Sequence, residues 1–311
     1  MFPIIPAASA ADSGPQEGIF GFGSDGSATD ITNLVSDAGV VATDVTGVGT
    51  ARYSLAACEY GGDKGIFGFG NDGSTSYVAM TNLVSSSGVV ASDQAAVTGT
   101  TRNRLAAGGY GGDKGIFAYG TTGSSTYTAA SNLVTNLGVV GTDVTGVGTV
   151  REAAAACEFG TDEAIFGYGF AWTPGPTPTY YSITNLVTNL GVVGSDVTGV
   201  GSTRRGPMAC SFGGDQGIFV GGYVDGTGRV GTSQLVTNLG VVGTDVTAVA
   251  SARMMGGACE YGEDTGIFGF GTDGTGNYVA TTNLVSDTGV VATEQAATTG
   301  TARAELAACS F

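Results

Sequence analysis

The sequence of 311 residues contains no histidine. This absence excludes Ser-His-Asp and Cys-His nucleophile systems, histidine-ligated zinc and general-base catalysis by imidazole. The five cysteines form no Cys-x-x-Cys pair, so nothing supports a thiolate zinc site. No apolar run approaches the roughly 18 residues of a membrane helix. The sequence therefore predicts a chain without enzyme activity, metal, cofactor or membrane insertion.

Charge is scarce and mostly of one sign. Only 12% of the residues are charged, and 27 acidic against 11 basic side chains give a net charge of -16. Such a surface repels phosphate backbones, so we expect no nucleic-acid partner. Hydrophobic residues nevertheless make up 42% of the chain, and that content allows a buried core.

Six copies of one unit fill the chain. The units start at Gly18, Gly65, Gly115, Ala164, Gly217 and Gly266, with steps of 47, 50, 49, 53 and 49 residues. Each unit gives an Ile-Phe strand, a variable Gly/Ser/Asp loop, a Leu-Val strand, a turn before Gly-Val-Val, an arginine, and an Ala-rich strand. Short strands without a 3.6-residue period indicate an all-β fold. Four strands in a repeat of roughly 50 residues predict a six-bladed β-propeller.

The two ends of the repeat array complement each other. The first unit lacks its Ala-rich strand, and the chain ends with such a strand at 304–311. We predict that this C-terminal strand becomes the innermost strand of the first blade and closes the ring. Residues 18–311 would then form a single propeller domain.

Residues 1–17 are expected to form an extended N-terminal arm. The segment has no basic stretch, and its short apolar run is interrupted by prolines, which is not the pattern of a signal peptide. Phe2, Ile4 and Ile5 make the arm a candidate for docking on a neighbouring subunit.

The order of features in the unit resembles the kelch repeat, in which an arginine precedes a small-residue strand, a Gly-Gly turn and an aromatic strand that ends in glycine. The arginines at this point are Arg52, Arg102, Arg151, Arg204, Arg253 and Arg303. The kelch tryptophan of the last strand is missing, and Val40-Val41 and its counterparts stand in its place. The low divergence among units is also similar to that of kelch-type proteins encoded by bacteriophages and environmental bacteria. In phages, the resemblance implies a virion component.

One acidic residue precedes each arginine by 8 or 9 positions. The acids are Asp44, Asp93, Asp143, Asp196, Asp245 and Glu294. One hypothesis pairs arginine with carboxylate or backbone carbonyls, within a blade or between blades, to fix blade register. The other is a carboxylate ring that binds cations. Six-fold repetition favours the structural hypothesis, because every folding unit needs the same contacts.

Cysteine and Asp-Gly positions are interpreted structurally. Five units have a cysteine six residues after the arginine: Cys58, Cys157, Cys210, Cys259 and Cys309. Equivalent positions on neighbouring blades lie too far apart for disulfides, so we expect buried, reduced thiols and assembly in a cytosol.

The Asp-Gly steps at Asp25, Asp72, Asp225 and Asp273 suit turns better than calcium loops, which need several oxygen ligands.

The most informative departure from the repeat is the long loop of the fourth unit. It holds the only tryptophan, Trp172, together with Tyr180 and Tyr181. The corresponding loops of other units carry Tyr77, Tyr127, Tyr223 and Tyr278. Exposed aromatic side chains are typical interface anchors, so these residues predict a contact surface. The kelch resemblance implies that this loop shares a face with the arginine loops, and we expect the contact surface on that face.

Two functions follow from these observations. The first is a non-enzymatic structural or attachment component of a phage virion (a tail, fibre or decoration protein), assembled in the host cytoplasm and binding other virion proteins. The alternative is a carbohydrate-binding propeller on a virion or bacterial cell surface that recognises a host glycan. An enzyme function is not expected, because copper oxidases of the wider kelch group use histidine ligands and this chain has no histidine.

Overall fold

The computed structural model describes residues 18–74, 77–94, 99–172, 177–247, 250–295 and 300–311. The regular secondary structure of these residues consists of β-strands in small antiparallel sheets joined by turns and loops, and the predicted all-β class is confirmed. None of the described segments forms a helix that could cross a membrane.

Six sheets share one plan, in which an Ile-Phe strand lies between an Ala-rich strand and a Leu-Val strand. We number the sheets 1 to 6 along the chain by their Ile-Phe strands. The Ile-Phe strands are Gly18–Gly21, Lys64–Gly68, Lys114–Ala118, Glu163–Gly167, Gln216–Val220 and Thr265–Gly269. Their Ala-rich partners, in the same order, are Ala307–Ser310, Ala56–Tyr60, Ala106–Tyr110, Ala155–Phe159, Met208–Phe212 and Gly257–Tyr261. The Leu-Val strands are Thr32–Val35, Thr81–Val84, Ser131–Val134, Thr184–Val187, Thr232–Val236 and Thr282–Val285.

The predicted fourth strand is only partly formed. In each sheet the Gly-Val-Val segment forms one isolated bridge to the Leu-Val strand, such as Val41 with Val35 in sheet 1. Farther along the chain a second contact reaches the same strand, as the bridge of Thr32 with Val45 in sheet 1 and as the two-residue strand Val246–Thr247 in sheet 5. The remaining short strands lie in the loop after the Ile-Phe strand or beside it. They are Thr121–Gly123, Thr126–Tyr127, Phe170–Trp172, Pro178–Tyr180, Tyr223–Val224, Gly228–Arg229, Arg253–Met254 and Thr272–Asp273.

Glycine turns and burial explain the regular plan of the sheets. A tight turn before Lys64 joins the Ala-rich and Ile-Phe strands of sheet 2, and its Gly61 and Gly62 adopt φ values of 70° and 76°, which side chains disfavour. Ile66 and Phe67 are both completely buried, so the Ile-Phe strand is covered on both faces of its sheet. The Ala-rich strand alternates between buried and half-buried residues, which leaves one face partly open.

The C-terminal strand joins the first sheet, as the repeat predicts. Ala307–Ser310 pairs with Gly18–Gly21 in an antiparallel ladder that extends from Gly21↔Ala307 to Gly18↔Ser310. The following residue, Phe311, is buried. The two ends of the described chain therefore share one sheet.

Neighbouring sheets contact each other through their Ala-rich strands. Each of these strands lies beside those of the preceding and following sheets, and the strand of sheet 1 lies beside those of sheets 2 and 6. A cycle of backbone hydrogen bonds links the same sheets, with donor–acceptor distances of 2.7 to 3.0 Å. The donors are the N–H groups of Ser54, Arg104, Ala153, Gly206, Met255 and Glu305. Each donates to the carbonyl of its counterpart in the preceding sheet, and Ser54 completes the cycle by donating to Glu305.

Candidate functional site

The six repeated arginines are buried between sheets. Arg52 donates from Nε to the Phe69 carbonyl at 3.0 Å and from Nη2 to Asn82 Oδ1 at 2.6 Å. Its guanidinium carbon lies 4.2 Å from the centre of the Phe22 ring, which belongs to the preceding sheet. Four of the other five arginines also stack on the equivalent ring of the sheet before, whereas Arg253 has Gly221 at that point and lies over Phe268 instead. The arginines thus bind neighbouring sheets together.

Five of the six arginines face the acid 41 to 45 residues later, not the acid that precedes them by 8 or 9. Arg52 lies 3.8 Å from Asp93, and Arg204 lies 2.8 Å from Asp245. The final arginine, Arg303, acts electrostatically on Asp44 in the same manner. Arginine and acid therefore belong to one sheet, at the two ends of its strand order.

Hydrogen bonds fix Asp93 and lower its pKa. Asp93 accepts hydrogen bonds from Thr50 N–H and Oγ1 and from Asn82 Nδ2 at 2.7 to 3.2 Å. Burial alone would raise the pKa of Asp93, but these hydrogen bonds and the charge of Arg52 lower it. Burial in turn lowers the pKa of Arg52 to about 10, and Asp93 opposes that shift. With its oxygens engaged in this way, the carboxylate has a structural role.

The five cysteines are buried thiols that pack against the next sheet. Burial raises the pKa of each thiol, and that of Cys259 reaches about 12. A Cβ placed on Gly115 would lie 2.5 Å from Cys58 Sγ, so the neighbouring glycine makes room for the sulfur. At the one sheet where glycine replaces cysteine, Gly108, the facing glycine is replaced by Ala164. At this interface the larger side chain therefore comes from the Ile-Phe strand of sheet 4, and the Ala-rich strand of sheet 3 has the glycine.

A cavity of about 80 Å³ is lined by all six Ala-rich strands and contains three glutamates that sequence reasoning missed. Glu59, Glu158 and Glu260 come from sheets 2, 4 and 6, while Gly109, Ser211 and Ser310 occupy the equivalent positions of sheets 3, 5 and 1. The glutamates could have been found by asking which positions of the Ala-rich strand alternate between units. We call this space the glutamate cavity.

The glutamate cavity favours protonated carboxyl groups. Burial raises the pKa of all three glutamates, and that of Glu260 rises to about 8. The negative charge of Glu158 raises the pKa of Glu59 and Glu260 further. The Gly109 N–H opposes the shift at Glu158 by donating a hydrogen bond to its carboxyl group. Among the described residues, no group of three or more Cys, Asp or Glu side chains could hold a metal ion.

Stability should fall as pH rises from about 4.5 to 8. The folded-state pKa values of these glutamates lie above the ordinary value of 4.5, so the folded protein binds more protons than the unfolded chain in this range. The contribution of the cavity to stability is complete below pH 4.5 and is lost as pH rises through about 8. Urea midpoints measured between pH 5 and 8.5 should therefore decrease.

Replacing Glu59, Glu158 and Glu260 together with glutamine should flatten that decrease and make the variant more stable than the parent at pH 8. Glu163→Gln, at the start of the Ile-Phe strand of sheet 4, is the matched control. A midpoint that is constant or increases over this range would contradict the assignment.

Three of the predicted contact residues meet in one pocket. Tyr77, Tyr127 and Trp172 line a cavity of about 360 Å³, together with Tyr53. The polar lining includes Asn71, Asn103, Arg104 and Glu152. The pocket lies among the loops that follow the Ile-Phe strands of sheets 2, 3 and 4, because Tyr53 bridges to Asn71 and Asn103 to Thr121. We call it the aromatic pocket.

The polar groups of the aromatic pocket are largely buried and partly unpaired. Arg104 Nη1 lies 3.2 Å from Glu152 Oε1. Burial raises the pKa of Glu152, and Arg104 opposes that shift. Burial alone would lower the pKa of Arg104, but Glu152 and Glu305 raise it. Asn103 is 6% exposed, yet its Oδ1 finds no hydrogen-bond partner among the described residues, and neither does Arg104 Nε.

Two other predicted contact residues form a second group on the same face. Tyr180 and Tyr223 lie with their ring centres 6.0 Å apart, and Tyr180 stacks on Phe170. The guanidinium of Arg205, which the repeat pattern did not single out, lies 4.9 Å from the centres of Phe170 and Tyr223. We call Arg205 and its three rings the arginine cluster.

The other sequence predictions do not converge on these groups. Tyr181 is half-buried near Arg151 and Asp196, and Tyr278 is 40% exposed on sheet 6. The predicted arm residues Phe2, Ile4 and Ile5 lie outside the described residues. The Asp-Gly steps include local turns, as at Asp273, whose Oδ1 accepts hydrogen bonds from the N–H groups of Thr275 and Asn277.

Comparisons with known proteins do not assign a family. No protein-family model and no curated protein matches the chain. Its function must therefore be inferred from the pockets and faces of the structure.

Proposed function

We propose that this chain is a non-enzymatic attachment module that binds a glycan through the aromatic pocket. The observation that carries the proposal is the combination of four aromatic side chains with buried Asn103 and Glu152 and half-buried Arg104 in a 360 Å³ cavity. Among the described residues, Asn103 Oδ1 and Arg104 Nε have no hydrogen-bond partner. Sugars offer apolar C–H faces that stack on aromatic rings, and hydroxyl pairs that suit planar amide, guanidinium and carboxyl groups. Pockets of this size hold small ligands.

The scaffold of this module, in our proposal, is a single kelch-like six-bladed β-propeller spanning residues 18–311. The side-by-side Ala-rich strands and the closed cycle of backbone hydrogen bonds support six blades around one axis. The glutamate cavity would then lie on that axis. The pairing of Ala307–Ser310 with Gly18–Gly21 supports closure of the ring by the C-terminal strand.

The single carboxyl group that the described residues contribute to the aromatic pocket favours binding over hydrolysis. Glycosidases position two carboxyl groups across the scissile bond. Among the described residues, Glu152 is the one acid that lines this pocket, and it is engaged with Arg104. The pair also makes the pocket close to neutral in charge, so the pocket itself suits an uncharged sugar ring.

Removing the aromatic stacking surface should weaken glycan binding. We expect Trp172→Ala and Tyr127→Ala each to raise the Kd at least about fivefold, because a ring stacked on a ligand contributes about 1–3 kcal/mol. The glycan would first be identified on an array with the parent protein, and the affinities then measured by calorimetry. Tyr278→Ala is the matched control, since Tyr278 is an exposed loop tyrosine outside the pocket. An equal loss in Tyr278→Ala, or no glycan binding by the parent, would refute the proposal.

A second candidate function is a structural virion component that binds other virion proteins. It is favoured by Leu137, Leu190 and Leu239, which are 76–77% exposed on the outer turns of three consecutive sheets. Sheets 1, 2 and 6 have Ala38, Ser87 and Thr288 there instead, so the apolar residues form one arc. Both candidates place the protein on a virion, or alternatively on a bacterial surface. Imaging purified particles with an antibody against the chain tests that location.

A further inference from the structure

Arg205 departs from the repeat. The residue directly after the repeated arginine is Tyr53, Asn103, Glu152, Met254 or Ala304 in the other sheets, so the fold does not require a second arginine there. Three rings enclose the Arg205 guanidinium, at 4.9 to 5.9 Å from their centres. Its Nε is buried and has no hydrogen-bond partner among the described residues. A positioned guanidinium with unused donors is a recognition group for carboxylates and related anions.

A second arginine lies near Arg205: Arg205, Tyr223 and Arg229 lie opposite one another on adjacent strands, and we call these three residues the arginine row. Arg205 forms a bridge with Tyr223, and Tyr223 pairs in turn with Arg229 across the loop hairpin of sheet 5. Directly opposed residues of antiparallel strands present their side chains on the same face. Arg229 is held by its Nε, which donates to Thr272 Oγ1 at 3.1 Å. The row therefore places two arginine residues on either side of one tyrosine, with the Arg205 guanidinium over the Tyr223 ring and the Arg229 side chain reaching Thr272 of sheet 6.

These two cations differ from the other basic side chains of this acidic chain. The six repeated arginines are buried against carbonyls and acids, Arg104 pairs with Glu152, and Lys64 and Lys114 each pair with the preceding aspartate. Within the described residues, neither Arg205 nor Arg229 forms a salt bridge, although Glu152 lies close enough to interact with Arg205 electrostatically. The net charge of -16 repels anions from the protein as a whole, so two arginines without a salt bridge provide a local site that attracts an anion.

The arginine row is continuous with the aromatic pocket. Glu152 lines the pocket and forms backbone hydrogen bonds with Phe170, whose ring contacts Arg205. A ligand that extends from the pocket across this hairpin would meet Arg205 next.

We propose that Arg205 and Arg229 form an anion subsite that binds a carboxylate or sulfate group on the glycan held by the aromatic pocket. The proposal rests on the proposed function for its ligand, and it assigns the glycan to the acidic class. The pocket would supply stacking on a sugar ring, while the arginine row would supply selectivity for a charged substituent.

Three probes separate the two sources of negative charge. Dextran carries neither group, dextran sulfate carries sulfate, and alginate oligomers carry carboxylate. We expect the parent protein to bind one anionic probe at least about tenfold more tightly than dextran in 150 mM NaCl. The Arg205→Gln/Arg229→Gln variant should lose at least about tenfold of that affinity, which corresponds to the cost of losing a charged hydrogen-bonded contact. Arg205→Lys/Arg229→Lys should retain part of it.

The control removes the same charge elsewhere. Lys64→Gln/Lys114→Gln lowers the net charge equally at two hairpin turns and should leave the affinity for the anionic probe unchanged. Equal affinity of the parent for all probes, or an unaffected Arg205→Gln/Arg229→Gln variant, would overturn the subsite. If anion binding needs the arginines but survives Trp172→Ala, the subsite stands and the proposed glycan pocket fails. If an array glycan depends on Trp172 while no anionic probe depends on the arginines, the reverse holds.

Discussion

A chain that ends at Arg303 is expected to lose its cooperative unfolding transition. The deletion removes the strand that pairs with Gly18–Gly21 and the buried side chains of Leu306 and Phe311. Burial of these two side chains alone contributes about 3–6 kcal/mol, in a protein whose total stability is about 5–15 kcal/mol. It also removes Glu305 and so opens the cycle of backbone hydrogen bonds. Urea unfolding followed by circular dichroism would show the loss.

The matched control for this truncation deletes eight residues from the other end, 1–8, which shortens the chain equally. We expect the control to keep a single transition close to that of the parent. If the chain ending at Arg303 unfolds with the same midpoint as the parent, the C-terminal strand does not contribute to the fold in the way that the structure indicates.

Gly115→Ala is the second substitution with a large expected effect. Its added Cβ would lie 2.5 Å from Cys58 Sγ and 3.0 Å from the Glu59 carbonyl oxygen, in an interface that cannot open without separating sheets 2 and 3. Overpacking of this kind typically costs about 1–3 kcal/mol. We expect the free energy of unfolding, measured in urea, to fall by that amount.

Removing the sulfur should recover most of the loss. The double variant Cys58→Gly/Gly115→Ala reproduces the Gly108 and Ala164 pair that the chain already uses between sheets 3 and 4. We expect a coupling free energy of about 1–2 kcal/mol in the double-mutant cycle. As a reciprocal check, Gly108→Cys should destabilise the protein because Ala164 already occupies the space. Additive single effects would contradict this account of the interface.

The repeat made the fold class and the chain ends predictable. Six copies of short apolar strands separated by glycine turns predicted an all-β protein, and the missing first strand predicted the pairing of Ala307–Ser310 with Gly18–Gly21. The predicted fourth strand is incomplete, since its Gly-Val-Val segment makes one isolated bridge in each sheet. Backbone pairing beyond residues such as Val41 depends on how the following loop runs, and a local pattern does not specify that path.

The partners of the charged residues were harder to predict. Sequence spacing suggested the acid 8 or 9 residues before each arginine as well as acids of other blades, and the structure places Arg52 opposite Asp93. The arginine precedes the Ala-rich strand and the acid follows the Leu-Val strand, which lies two strands away in the same sheet. The two side chains therefore come together only after the whole unit has folded. The sequence also did not predict which loop residues come together. Tyr77, Tyr127 and Trp172 line one pocket, whereas Tyr278 lies outside it.

The missed residues are those that break the repeat. Glu59, Glu158 and Glu260 alternate with Gly or Ser, and Arg205 stands where the other sheets have unrelated residues. A six-fold scaffold explains what its copies share, so differences between copies are the better guide to function. Asn103, Arg104 and Glu152, which line the aromatic pocket, follow the same rule.

The pairing of the first strand with the last affects how the protein is made. Gly18–Gly21 leaves the ribosome early, while its partner Ala307–Ser310 is synthesised almost 290 residues later. Until then one edge of the first strand has no partner, and an open edge is prone to pair with another chain. We therefore expect nascent chains to depend on rapid synthesis of the partner strand, and ribosome stalling before Ala307 is synthesised to favour aggregation over slow folding.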